Sequence, residues 1–391
     1  MPDFDLLLIG ATGFTGGLTA DHLAEHAPEG LRWALAGRSP DKLAAVRDRL
    51  AGIRPELAEL PLLELDLTDP AATAELVSRA KVVVTTVGPY LQHGESLVAA
   101  CAETGTDYVD LTGEPEFVDL MYVRHHSTAV RTGARIVHAC GFDSVPHDLG
   151  VLHAMRALQP TGPVEARGVV RASAQFSGGT FHSALGAFSR AREMKEAAGR
   201  RRAMEKRAAG GAGRRVRATA GRPHRDPLLG FWLVPLPTID PQVVARSARA
   251  LDLYGPAFTY SHYAGTKTLR WAAGGAAGAA GLAVAAQVPP LREALLRRLP
   301  AGSGPSAERR ARSWFTVDVV AESEGRVQHS RVSGGDPGYT ETARMLASAG
   351  LCLALDDNPT QGGSLTTAQA MGENLLARLE DLGIRFETVP A

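Results

Sequence analysis

Apolar and polar positions alternate in blocks along the first 150 residues, and the blocks predict the elements. Short apolar runs of four to six residues fall at 5–9, 32–36, 62–65, 82–87, 108–111 and 135–139. Between them lie stretches with helical spacing at 15–25, 41–50, 71–79, 95–103 and 116–131. Runs bounded by Gly, Pro or Asp and alternating with helices specify βαβ units, whose right-handed crossovers give a doubly wound parallel sheet. The expected class is α/β, with a Rossmann-type dinucleotide-binding domain over 1–150.

Beyond Gly150 the pattern changes. A long strand is expected over 165–176, ending in Ser177-Gly178-Gly179, and an Arg-rich helix from 181 to about 207. A strand at 258–263 and a hairpin of 314–322 with 326–333, turning at Gly325, follow. Helices at 339–355 and about 366–382 and a last strand at 384–389 complete the chain. This grouping predicts an α+β domain for substrate and dimerisation over 151–391, with an antiparallel sheet. Its C-terminal helices, within 339–391, are placed to pack back on the first domain.

Composition narrows the class. A chain of 391 residues with 45% apolar and 21% charged residues suits two or three globular domains and excludes a disordered protein. Lys plus Arg and Asp plus Glu both number 42, which argues against a nucleic-acid binder. Cys101, Cys140 and Cys352 lie far apart without a CxxC pair, and no HExxH occurs, so no metal or disulfide framework is expected. Adjacent His125 and His126 point to different helix faces. Asp3 and Asp5 beside a very short apolar run argue against a signal peptide.

Two segments leave a choice. The uncharged, Ala- and Gly-rich stretch 271–288, followed by Pro289-Pro290, is barely long enough to cross a bilayer. It is expected as a buried or interface helix of a soluble, cytoplasmic protein, with peripheral membrane contact the less favoured reading. Between Arg190 and Arg225 there are 13 Lys or Arg against three Glu. That excess suits a solvated face, or else an anionic partner such as an acyl carrier protein or a membrane surface.

The candidate chemistry starts at the first strand. Gly10-Ala11-Thr12-Gly13-Phe14-Thr15-Gly16 follows it directly and opens a helix. Gly10 permits the tight turn, Gly13 lets the backbone approach a diphosphate, and Gly16 lets the helix pack near the strand. The first-turn N–H groups and helix dipole then hold the phosphates, with Thr12 and Thr15 as further donors. At the end of the second strand an NAD enzyme places an acid for the ribose 2′-hydroxyl. Here stands Arg38-Ser39, with Lys42 one turn on, which suits a 2′-phosphate and predicts NADPH. Asp66 is placed for the adenine amino group, and Gly88-Pro89 for the nicotinamide ribose.

With Ala36-Gly37-Arg38-Ser39, Val87-Gly88-Pro89-Tyr90, the segment Tyr108 to Glu114 and Cys140-Gly141-Phe142-Asp143-Ser144-Val145-Pro146 added, the chain resembles the saccharopine dehydrogenase-like oxidoreductases. Within them it is most similar to the trans-acting enoyl reductases of actinobacterial lipid and polyketide pathways. The likeness extends through Ser177-Gly178-Gly179-Thr180 and Gly335-Asp336-Pro337-Gly338-Tyr339. It implies hydride transfer from NADPH to an activated double bond, in a lipophilic or carrier-bound substrate. No set of arginines suits a substrate with several carboxylates, so saccharopine itself is not expected.

Hydride transfer needs a hydrogen-bond or proton donor opposite the cofactor. Candidates are Tyr90, Asp143, His147 and Tyr339, with Ser144 beside them. Asp143 is equally an N-cap, and His147 equally a half-buried helix residue. Asp110 and Glu114 either orient a donor or cap the next helix, and Cys140 is expected in the core. Alternative functions are an imine or ketone reductase using the same cofactor, and a non-catalytic NADPH-binding sensor or assembly protein. A homodimer is expected.

Overall fold

The computed structural model describes residues 2–173, 189–208, 214–288, 290–291, 293 and 304–390. Six strands, β1 (Phe4–Ile9), β2 (Trp33–Gly37), β3 (Leu62–Glu64), β4 (Ala80–Thr85), β5 (Asp107–Asp110) and β6 (Arg135–Val137), form the first sheet with a late seventh. Their helices are α1 (Phe14–His26), α2 (Pro40–Ala51), α3 (Pro70–Ser78), α4 (Tyr90–His93), α5 (Glu95–Thr104), α6 (Pro115–Thr132) and α7 (Val145–Leu158). Every pairing in this sheet is parallel, in the order β3-β2-β1-β4-β5-β6. All six residues of β1 are buried, as a strand covered by helices on both faces requires. The order reverses between β1 and β4, and the resulting crevice opens at the carboxyl ends of the strands.

The second sheet comprises β7 (Val164–Ser173), β8 (Arg215–Thr219), β9 (His224–Arg225), β10 (Trp232–Pro235), β11 (Ala257–Thr266), β12 (Trp314–Ser323), β13 (Arg326–Gly334) and a C-terminal strand. It is mixed rather than purely antiparallel, because β11 runs parallel to both β7 and β8. The connection between β7 and β11 is long enough for a crossover, which a hairpin rule does not foresee. Helices α8 (Ala191–Ala208), α9 (Asp240–Ala250), α10 (Leu269–Gln287) and α11 (Ala307–Ala311) belong to this half. The hairpin β12–β13 turns through Glu324 and Gly325, both at positive φ. The expected end of the long strand at 174–176, the Ser177 to Thr180 motif and the helix start at 181–188 lie outside the described residues.

The C-terminal elements return to the first sheet. Helix α12 (Thr340–Leu355) packs on α1, β1 and β4, and β14 (Gly363–Leu365) adds a seventh parallel strand beside β6. The expected helix over 366–382 is two pieces, α13 (Thr367–Ala370) and α14 (Gly372–Asp381), broken where Gly372 takes φ +42°. Strand β15 (Arg385–Val389) then closes the second sheet against β13. One apolar cluster runs through both halves, from Leu6 and Leu8 to Phe315 and Val332. Helix α10 is not buried in the single chain, since Leu269 and Val284 are exposed. No helix among the described residues is long and apolar enough to cross a membrane.

Candidate active site in the crevice

At the end of β1 the chain turns through Gly10, at φ +96°, and enters α1 at Phe14. A Cβ on Gly16 would stand 2.1 Å from the Gly10 carbonyl oxygen, so only glycine lets the first helical turn sit this close to the strand. The Thr86 hydroxyl, just past β4, donates to the same carbonyl at 3.1 Å and fixes the loop across the crevice. Gly13 is the N-cap without a side-chain cap, and Thr12 and Gly13 are exposed. The first-turn N–H groups therefore lie at a positive helix end with no protein side chain capping them, a fit for a diphosphate.

Arg38 stands exposed after β2, and Ser39 N-caps α2 without a side-chain capping bond. Lys42 is exposed one turn further. Asp66 lies exposed past β3. The Thr68 N–H, at 3.0 Å, holds its carboxyl below the usual range, and the charge of Arg38 adds to the effect. Arg38 and Asp66 therefore share one rim of the crevice. The residues fit an adenosine carrying a phosphate on its ribose.

Phe14 receives residues from the other half. Tyr339 meets it edge to face at 5.0 Å between ring centroids, and the Arg310 guanidinium lies 5.4 Å from its ring. Tyr339 is thus buried against the glycine loop, at the start of α12. At the opposite side the Gly88–Pro89 peptide is cis, and both residues are exposed on the rim. Tyr90 is buried behind them. Its hydroxyl donates to the Thr85 carbonyl at 3.3 Å and accepts from the Leu111 N–H at 3.1 Å. Burial pushes its ionisation well above the usual tyrosine range. Glu114 accepts from the N–H groups of Tyr90 and Leu91, so it caps the short α4. Asp110 accepts from the Tyr108 hydroxyl and from the Thr112 and Ala139 N–H groups, and pairs with His138 at 2.7 Å. Both acids brace strand ends.

Asp143 lies after β6, half-buried, with its carboxyl over the Gly113 backbone: a Cβ there would be 3.4 Å from Oδ1. Ser144, not Asp143, is the N-cap of α7, and its hydroxyl donates instead to the Ala139 carbonyl. Burial raises the Asp143 carboxyl to about 7, helped by the charges of Asp240 and Asp110 and opposed by His147. The loop is held from the second half, where the Thr342 hydroxyl oxygen accepts from the Phe142 N–H. Phe142 packs on Phe315 at 4.8 Å and on His147 at 5.5 Å, an aromatic wall beside the carboxyl.

His147 is buried, not exposed to the crevice. Its Nδ1 lies 2.6 Å from Oδ1 of Asp240, whose Oδ2 is 3.6 Å from Nε2 of His262. The Tyr260 hydroxyl reaches His262 Nδ1 at 3.1 Å. Burial alone would raise Asp240, yet the two imidazoles hold it below the usual carboxylate range, and burial lowers His262 to about 4. Asp240 and His262 belong to no motif in the sequence. The Asp240-Pro241 pair at a helix start was the one available signal, and it speaks for a helix rather than a site. Cys140 is buried, and its thiol is pushed well up, which leaves no thiolate nucleophile there.

The saccharopine dehydrogenase NADP binding domain is the family model that matches, over residues 6–137. A trans-acting enoyl reductase of Mycobacterium ulcerans is 37% identical over 411 residues, covering 98% of this chain and 97% of that protein. A trans-acting enoyl reductase of Mycobacterium tuberculosis is 37% identical over 421 residues, covering 99% and 98%. Among solved structures, apo saccharopine dehydrogenase (L-Glu forming) of Saccharomyces cerevisiae aligns with a TM-score of 0.56 at 13% identity, over 98% of this chain and 99% of that one. That last likeness concerns the fold. With the glycine loop and Arg38 in place, NADP(H) is the cofactor. The chain therefore belongs to the saccharopine dehydrogenase-like oxidoreductases, within the family of the trans-acting enoyl reductases, and is an NADPH-dependent oxidoreductase.

Proposed function

We propose that this oxidoreductase reduces the C=C bond of a lipophilic 2-enoyl thioester carried by a separate acyl carrier. The observation that carries the reading is the likeness, over nearly the whole chain, to relatives named trans-acting enoyl reductases. Two features of the site support it. The Phe142–Phe315 wall offers an apolar surface beside Asp143, and Asp143 is a carboxyl kept in its acid form near neutral pH.

NADPH, when held by Arg38 and the start of α1, would supply a hydride for the β-carbon of the substrate. The electron pair of the double bond moves toward the thioester carbonyl, and the α-carbon takes a proton. Asp143 gives that proton and regains one from solvent, so one hydride and one proton balance one saturated bond. Tyr90 does not serve as donor in this reading, because both of its hydroxyl bonds go to backbone groups. Arg38 and the start of α1 hold the dinucleotide, and Tyr339 buttresses the glycine loop through Phe14.

The test is NADPH deuterated at C4, given with a 2-enoyl pantetheine thioester and, separately, with a cyclic imine and a ketone. Deuterium at the β-carbon of a saturated thioester is the expected outcome. Turnover of the imine or ketone alone replaces the C=C assignment, and tight binding of NADPH without oxidation by any of the three makes the protein a sensor.

A further inference from the structure

Three side chains able to ligate a metal meet where the two halves join. His147 stands in the first turn of α7, Asp240 opens α9, and His262 lies on β11. Each brings one nitrogen or carboxylate oxygen into a group whose atoms all lie within 4.8 Å of one another. None of the three residues is more than 3% exposed. The two imidazoles meet edge to face, with ring centroids 5.0 Å apart. Hydrogen bonds do not account for this cluster. His147 Nδ1 stands 2.6 Å from Asp240 Oδ1 but out of line for a hydrogen bond, and His262 Nε2, 3.6 Å from Asp240 Oδ2, is too far for one. Among the described residues, none bonds to Asp240 Oδ1, to His262 Nε2 or to either ring nitrogen of His147. Buried polar atoms left this way are costly, and one shared cation satisfies them together.

We propose that His147, Asp240 and His262 bind one zinc ion, which clips α9 and β11 of the second half to α7 of the first. Around zinc with bonds of about 2.0–2.1 Å, neighbouring ligand atoms of a tetrahedron lie about 3.4 Å apart. The 3.6 Å spacing to His262 matches that edge. The 2.6 Å contact reaches it when the carboxylate moves by about 1 Å or less. The Tyr260 hydroxyl meets His262 Nδ1 at 3.1 Å, so Nε2 is the nitrogen turned to Asp240, and ligating histidines are held in this way through their other nitrogen. Two imidazoles and a carboxylate without sulfur suit zinc, and three protein ligands leave a fourth position to water. No short motif announces the site, because its ligands lie 93 and 22 positions apart. Binding to the folded chain alone makes the ion a clip between the halves, and the proposed hydride and proton transfers do not run through it.

The experiment strips the full-length protein with a chelator and titrates it with zinc chloride, in calorimetry and in thermal melts. One equivalent bound with a Kd of about 1 μM or below is expected, with a melting midpoint raised by about 3–5 °C at a hundredfold excess over that Kd. Cobalt(II) in place of zinc is expected to show the strong visible absorption of a four-coordinate ion. Asp240→Asn and His262→Ala should weaken zinc binding at least about 100-fold, and Tyr260→Phe, which removes only the group on His262 Nδ1, about 10-fold. NADPH affinity checks that each variant is folded, and if the ligand variants fail that check, Tyr260→Phe and the wild-type cobalt spectrum decide. His22, Glu25 and His26 on α1 form a second cluster, in which Glu25 and His26 are exposed, so His26→Ala is the control and should bind zinc like wild type. Wild type that takes up no zinc, or that takes up cobalt without the four-coordinate spectrum, overturns the proposal. So does binding that His26→Ala abolishes while Asp240→Asn and His262→Ala keep it.

Discussion

Arg38 stands on an exposed rim of the crevice, and its guanidinium is expected to select the dinucleotide that carries a 2′-phosphate. Charge-assisted bonds to phosphate are among the strong ones, worth about 1.5–3 kcal/mol. Arg38→Ala should therefore raise the KM for NADPH about 10- to 100-fold and leave that for NADH nearly unchanged, in steady-state assays with both dinucleotides. Asp143 makes a second prediction at this scale, with a definite sign. Its folded carboxyl titrates near 7, above the ordinary 3.8 of the unfolded chain. The fold thus favours the protonated form: stability is fully present below pH 4 and is lost as pH rises toward 7. Asp143→Asn removes that penalty, so at pH 8 the variant should resist urea better than wild type, by about 2–3 kcal/mol, while hydride transfer collapses. A variant less stable than wild type at pH 8 would refute this. The tight turn at Gly10 and the close packing at Gly16 were legible in the sequence because both are set within one strand-turn-helix, and the place of Arg38 was legible because it directly follows the apolar run of β2. The sequence leaves His147 as either a donor candidate or a half-buried helix residue, and its burial against Asp240 is not legible there, because the partner lies 93 positions away in an unremarkable helix start.

Among the elements, the buried parallel strands announced themselves as unbroken apolar runs, and the glycine turn announced the helix after β1. The close packing of α1 on β1 depends on Gly16 far more than on Gly13. A Cβ at Gly16 meets the Gly10 backbone at 2.1 Å and Thr86 Oγ1 at 2.6 Å, whereas one at Gly13 comes no nearer than 3.5 Å to the Gly10 oxygen. Backbone at that range cannot give way cheaply. Gly16→Ala should cost about 3 kcal/mol or more in urea unfolding and weaken NADPH as well. Gly13→Ala should unfold like wild type and lose affinity only, since its new methyl meets no protein atom closer than 3.5 Å yet stands at the exposed helix start that would hold the diphosphate. Equal loss of stability in both would show that α1 does not depend on this contact. Part of what the pattern missed had too few residues to carry a period, since β14 is three residues long and β9 is two, whereas the eleven-residue α9 and the five-residue β8 were missed despite their length. The break at Gly372 escaped because a single left-handed glycine hardly disturbs a helical apolar spacing on paper.

At the scale of the whole molecule the two halves are joined by a buried polar hub as well as by apolar packing. Asp148, on α7, accepts from the Ser247 hydroxyl at 2.6 Å, the Thr367 hydroxyl at 2.8 Å and the Ala368 N–H at 2.8 Å. Those donors come from α9 and from the first turn of α13, so one side chain ties the first half to two separate returns of the chain. Burial pushes this carboxyl up, and the three donors work against that shift. Removing the carboxylate strands buried donors, each of which costs about 1–3 kcal/mol when unsatisfied. Asp148→Ala should therefore lose about 3–5 kcal/mol in urea, and Asp148→Asn, which keeps one acceptor oxygen, should lose less. The functional consequence follows from where α9 leads. It carries Asp240 to His147, so a loosened α9 is expected to disturb the side of the crevice where the donor is proposed, while the glycine loop and Arg38 stay intact. Asp148→Ala should bind NADPH within about threefold of wild type by calorimetry, yet transfer hydride at least tenfold more slowly. Loss of cofactor affinity in step with the rate would mean that the halves fold as one inseparable unit, and that the hub does not act on the reacting end alone.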